Sequence, residues 1–177
     1  MKLFRRRRRR LPAERRPPIE PEERIVAWAG ATDDEVVVVT NHGIWLPGAT
    51  ARLGWHEIHK ATWSGRQLAL VASREVGDEE GYAIVADQPA IVHTLLDPDN
   101  APLQVRVRVT RSIAYTQVHP LPDGGAVRVV ARRVPGIDGL SWTVRYEDGA
   151  DPTDERIRAL TEELVAYGKA SVAGARP

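Results

Sequence analysis

His56, Glu57 and His59 are the residues whose types and closeness first suggest chemistry, namely a metal site. A zinc-protease pattern needs two histidines four apart on a helix, with a glutamate directly after the first. Here the histidines are three apart in a segment that reads as a strand, so they face opposite sides. His42, His93 and His119 stand at no ligand spacing from one another, and no metal is expected. The chain has no cysteine, which excludes disulfides, thiol nucleophiles and cysteine-ligated clusters. A Gly-x-Ser-x-Gly elbow is absent, so the sequence offers no activated serine. Gly124-Gly125 and the Gly136 to Gly139 stretch sit between strand-like runs and read as turns, not phosphate-binding loops. Asp33, Asp34, Asp78, Glu79, Glu80, Asp97 and Asp99 all fall where turns are expected, which accounts for them without acid–base work. Neither enzyme activity nor a cofactor is expected.

The remaining chemistry is electrostatic. The net charge of +1 is unevenly spread: residues 1–24 carry ten Lys/Arg against four Glu, and residues 25–177 carry fifteen Lys/Arg against twenty Asp/Glu. Arg5, Arg6, Arg7, Arg8, Arg9 and Arg10 form a continuous run, followed by Pro12, Pro17, Pro18 and Pro21. Self-repulsion and proline predict a disordered tail over 1–21. Such a tail suits an anionic lipid surface, or nucleic acid phosphates without sequence specificity, since no aromatic beyond Phe4 interleaves the arginines. A second basic set is Arg106, Arg108 and Arg111 together with Arg128, Arg132 and Arg133. If both stretches are neighbouring strands, these side chains could share one sheet face and take an anionic group; cross-strand pairing with acidic neighbours is the competing expectation.

The elements that must position these groups are mostly strands. Ile25, Val26 and Trp28 open a strand, Asp33-Asp34 turns it, and Val36–Thr40 reads as a strand with little exposed face. Asn41-His42-Gly43 predicts a hairpin into Ile44-Trp45-Leu46. Leu53 to Trp63 reads as one longer strand, Gln67–Ser73 as its partner, Glu75 to Glu80 as an acidic loop, and Tyr82–Ala86 as the next strand. Pro89 to Leu96 suits a strand or a short helix. Residues 97–102 form a connector and the one internal boundary. The alternation of Leu103, Val105, Val107 and Val109 predicts a half-buried strand. Ser112–His119 and Ala126–Val134 read as a hairpin around Pro120–Gly125, and Leu140–Glu147 as the last strand. Asp151 is placed to cap a final helix, with Ile157, Leu160, Leu164 and Tyr167 as its apolar stripe and Gly168 at its end.

Two sets of residues carry a resemblance. The order of Trp55-His56-Glu57-Ile58, Ala61 and Trp63, then Gln67-Leu68-Ala69-Leu70-Val71, resembles bacterial pleckstrin-homology-like domains. The wider chain is similar to a family of small actinobacterial proteins through five stretches. They are residues 23–29, 53–58, 108–113 and 127–133, and Leu140-Ser141-Trp142 ahead of an acidic helix. The resemblance brings no catalytic residue with it, and the chain offers more strands than one pleckstrin-homology fold uses.

The expected fold is therefore mainly β, with antiparallel meander or barrel-like sheets and one C-terminal helix. It forms a single domain over 22–170, between a disordered basic tail at 1–21 and a disordered end at 171–177. The expected function is a binding or scaffold domain in the cytoplasm, peripheral at the inner membrane face. Its anion-binding residues would be Arg5 to Arg10, Arg106, Arg108, Arg132 and Arg133, and its partner an anionic membrane surface or a protein. Non-specific nucleic-acid association through the tail and a small ligand-binding barrel are the alternatives. No run is apolar and long enough to span a bilayer, no h-region follows the basic start, and Lys2 argues against myristoylation.

Overall fold

A computed structural model describes residues 10–174. The chain is mainly β, with two curled sheets and a C-terminal helix. The strands are β1 (Ile25–Gly30), β2 (Val36–Thr40), β3 (Gly43–Trp45), β4 (Leu53–Gly54), β5 (Ile58–Ser64), β6 (Gln67–Glu79), β7 (Tyr82–Asp87) and β8 (Ile91–Thr94). Helix α1 (Ala101–Ser112) follows, then β9 (Ile113–Pro120), β10 (Ala126–Arg132), β11 (Ser141–Glu147) and helix α2 (Glu155–Gly174). The first sheet runs β1-β2-β3-β4. The second runs β5-β6-β7-β11-β10-β9, with β8 also on β6. All strand pairs are antiparallel except β7 with β11. A single bridge, Ala31 to Leu95, ties the end of β1 to the end of β8 and so joins the two sheets.

Strand β6 spans both halves of the molecule. Its residues 67–72 pair with β5 and β8, and its residues 73–79 pair with β7. Two cores result. One gathers Val37, Val39, Ile44, Trp55, Leu68 and Leu70 beneath Val105 and Val109 of α1. The other gathers Tyr82, Val127, Val129 and Val144 beneath Val165 of α2.

Residues 103–109 are the main departure from the sequence reading: they are helix, not strand. Val105 and Val109 satisfy a period of two, but they are also four apart. With Ala101, Pro102 and Ser112 they make the buried face of α1. Pro102 sits in the first turn, where no intrahelical N–H is needed. Leu53–Trp63 is likewise broken. A 3₁₀ turn at Trp55–Glu57 separates β4 from β5 and drops Trp55 into the core, where its indole donates to the Thr40 carbonyl at 3.3 Å. The stretch read as an acidic loop is extended up to Glu79, and the turn falls at Glu80-Gly81.

Turn chemistry also differs in detail. Asp33 and Asp34 adopt φ of 59° and 58°, as a tight turn requires. The 41–43 turn needs no positive φ. Instead the Thr40 hydroxyl accepts from the His42 and Gly43 amides, each at 3.1 Å. Gly43 is required there because a Cβ would collide with the Leu53 carbonyl. Helix α2 is capped by Asp154, which accepts from the Arg156 amide at 2.8 Å, while Asp151 holds Thr153. Its inner face is Thr161, Val165 and Gly168. Tyr167 points out, and the helix continues past Gly168, which packs against Trp142 and Tyr115. It is described to Gly174, beyond residue 170 where the composition suggests the domain ends.

Candidate anion-binding site

Arg111 in the last turn of α1 and Arg132 and Arg133 at the end of β10 come close together because β9 starts where α1 stops. Ile113 pairs with Arg132 across β9 and β10, so the end of β10 returns beside the last turn of α1. The Arg133 amide donates to the Ser112 carbonyl at 2.7 Å, and its guanidinium donates to the carbonyls of Arg111 at 3.2 Å and Ile113 at 3.1 Å. A cation on the last carbonyls of a helix is favourably placed with respect to the helix dipole. Arg132 is 5% exposed and donates through Nη1 to the Ser112 hydroxyl at 2.8 Å and, at 3.5 Å, to the Trp55 carbonyl. Its Nε is buried with no acceptor, and so is Nε of half-buried Arg108. Arg111 and Arg106 are exposed on the outer side of α1 beside exposed Leu103.

Among the described residues, no carboxylate lies within ion-pair distance of Arg106, Arg108, Arg111, Arg132 or Arg133; the ion-paired arginines are Arg15, Arg52, Arg128, Arg145 and Arg158. Burial pushes the Arg132 guanidinium down from its ordinary pKa, and burial with the charge of Arg111 does the same to Arg108. His56 is also pushed down, first by burial; Glu57 opposes the shift, and Arg132 and Arg52 add to it. Among the described residues, Arg106, Arg108, Arg111, Arg132 and Arg133 thus carry positive charge with no carboxylate in ion-pair contact. The set can accept an anion at its exposed members, Arg106 and Arg111, and Arg108 lies close enough to Arg111 to feel its charge.

Arg128 belongs elsewhere. Its Nε donates to Glu147 at 2.6 Å, and Arg145 reaches the same Glu147 oxygen at 2.5 Å. Arg145 also holds both oxygens of Asp87 at 2.7 Å, and Asp87 meets His59 Nδ1 at 2.6 Å. This chain of five side chains crosses the parallel seam of β7 and β11, at a groove of about 660 Å³. Hydrogen bonds from Arg128, against an opposing effect of burial, keep the Glu147 carboxyl below its ordinary pKa. Burial would raise Asp87, but His59 and Arg145 outweigh it and the shift is downward. Burial lowers His59 despite Asp87.

One buried carboxylate escaped the sequence reading. Glu23, 3% exposed, accepts from the Thr40 hydroxyl at 2.6 Å, the Trp45 indole at 3.1 Å and Arg52 at 2.7 Å. Burial works to raise its pKa, and those bonds more than offset it. It pins the entry of β1 to β2 and β3. No sequence signal marks it, since Glu22 beside it is exposed.

Of the residues expected to bind anions, Arg5 to Arg9 lie outside the described residues, and Arg10 is exposed. Arg106, Arg108, Arg132 and Arg133 lie at α1 and the end of β10, around a helix terminus and not across one sheet face. His56 folds back over Gly54, where a Cβ would press on its ring, and His59 belongs to Asp87. Among the described residues no three His, Asp or Glu side chains gather as a metal-holding group. No helix among them is long and apolar enough to cross a membrane. No known protein family, curated protein or solved structure matches the chain.

Proposed function

We propose that this chain is a non-enzymatic binding domain that sits peripherally on an anionic membrane surface at the inner face. In this reading the Arg5–Arg10 run supplies the long-range attraction and the outer side of α1 makes the contact. The observation that carries it is the set of arginines on α1 and at the end of β10 that, among the described residues, have no carboxylate in ion-pair contact, in a body that is otherwise acidic. Exposed Leu103, one turn before Arg106, adds an apolar group that can enter the headgroup boundary while the arginines pair with phosphates. The pleckstrin-homology-like resemblance rests on residues 55–71, which form the Trp55–Glu57 turn, β5 and the first part of β6. A protein partner on the remaining surface would make the domain an adapter.

The test is co-sedimentation of the full chain with anionic and with neutral vesicles over a salt series. Variants replace Arg5–Arg10 by Gln, or Arg106 and Arg111 by Ala. Binding to anionic vesicles that weakens with salt and with both sets of changes is expected. Equal failure to bind both vesicle types would sink the reading. Salt-dependent binding to DNA or RNA without lipid binding would replace it by nucleic-acid association through the tail.

A further inference from the structure

The outer face of the first sheet is unusual for a half-exposed antiparallel face, which normally carries polar residues. Trp28, Val38 and Trp45 stand directly opposite one another across β1, β2 and β3. They make an apolar row, with Ile25 and Val36 packed beside it. What covers the row is a short proline-rich strap from the N-terminal segment. Leu11, 6% exposed, is inserted against Val38 and Trp45. Pro12 has φ −53° and ψ 141°, the polyproline II region, and a single 3₁₀ turn follows at Ala13–Arg15. Arg15 then binds both the Asp34 carboxylate and the Asp34 carbonyl.

The strap is lightly held. Among the described residues, its backbone hydrogen bonds close on itself, from Arg15 to Pro12, Arg16 to Ala13 and Ile19 to Pro17, with no ladder to the sheet. No residue of its 3₁₀ turn is buried. A groove of about 420 Å³ remains open alongside it, bounded by Arg15, Pro17, Val36, Trp45, Leu46 and Pro47. Among the described residues, the strap offers one apolar anchor, one ion pair and a prolyl backbone beside a tryptophan, the kind of chemistry by which proline-rich peptides bind proteins. They bind cheaply because the extended form is already populated when free.

We infer that the outer face of the first sheet is a peptide-docking groove for a Leu-Pro-x-x-Arg segment. Residues 11–17 fill it in cis as a displaceable strap, and it accepts the same segment of a second copy of this chain when the strap lifts. The docking is independent of any membrane contact. In the native chain the groove is self-blocked, because a tethered segment competes at an effective concentration on the order of millimolar.

The experiment compares the full-length chain with its full-length Leu11→Asp variant by amide NMR, while adding a synthetic peptide of residues 10–21. In the variant, signals of Val36, Val38 and Trp45 should move relative to the native chain. The peptide should then return them saturably, and a peptide carrying the same substitution should not. The native chain should bind the peptide at least about tenfold more weakly, as the tethered competitor requires. Equal binding by both chains, or no saturable shift in a folded variant, overturns the inference. If Leu11→Asp does not fold, Leu11→Ala enters the same titration. If both fail to fold, Leu11 is a core residue and no strap exists.

Discussion

Two groups of arginines lie on the same stretch of chain and have opposite fates. Arg128 and Arg145, on β10 and β11, are both satisfied by Glu147, and Asp87 with His59 extends the chain of charges across the β7–β11 seam. Arg132 and Arg133, at the end of the same β10, meet Ser112, the Trp55 carbonyl and the carbonyls at the end of α1 and, among the described residues, no carboxylate. The first group spends its charge on joining the two halves of the molecule. The second holds charge in reserve, which is costly where it is buried and useful where it is exposed. A charged side chain reads as structural or functional by what neutralises it.

Removing the shared acceptor should break the first group hardest. Glu147→Ala leaves two partly buried guanidinium groups short of a partner, and should cost about 2–3 kcal/mol in urea unfolding. A loss within the noise of a surface substitution would mean the lattice is ornamental. Arg132→Met should behave in the opposite way. Replacing an unpaired buried cation by an apolar chain of similar length should leave stability within about 1 kcal/mol of native, or raise it. Its retention of anionic vesicles at low salt should drop, and a large destabilisation would place Arg132 with the structural group. Arg106→Ala and Arg111→Ala should each leave unfolding within about 0.5 kcal/mol. Each should weaken association with anionic vesicles by about 1 kcal/mol, roughly fivefold.

The smallest effect is with pH. His59, His56 and His93 have folded pKa values below 6.5, so the unfolded chain binds more protons as pH falls through that value. Stability should be full above about pH 7.5. It should decline as pH falls through 6.5 towards the folded values, then fall further at acid pH as Asp87, Glu147 and Glu23, all lowered, take up protons. Chemical denaturation in steps from pH 8 to pH 3 reads both phases. A His59→Gln variant should shrink the first, and an unchanged first phase would mean that burial does not lower the His59 pKa.

The strands were legible where hydrophobic pattern and turn chemistry agreed. Val36–Thr40 followed by a glycine-containing turn, and the hairpin of 112–119 with 126–134 around Pro120–Gly125, which appears as β9 with β10, can be read directly from residue order. Residues 103–109 could not be, because Val105 and Val109 satisfy a period of two and a spacing of four alike. Only the first core decides between them. It needs a lid across a sheet that is already paired, and a helix can supply one without unsatisfied ladder groups. The Trp55–Glu57 turn was hidden for a similar reason: an alternating pattern does not show where a strand must bend to bury one tryptophan.

The sequence by itself determined the charge layout, the absence of thiol chemistry, the run of strands and the closing helix, since these follow from composition and local periodicity. Which arginine meets which carboxylate belongs to the tertiary structure. Arg128 and Arg132 are four residues apart on one strand. The register of β10 on β11 puts Glu147 within reach of the first, and the junction of α1 with β9 puts helix carbonyls beside the second. Local sequence sets the charges, and long-range pairing decides their neighbours, because an ion pair depends on a few ångströms of separation that no short stretch of chain encodes.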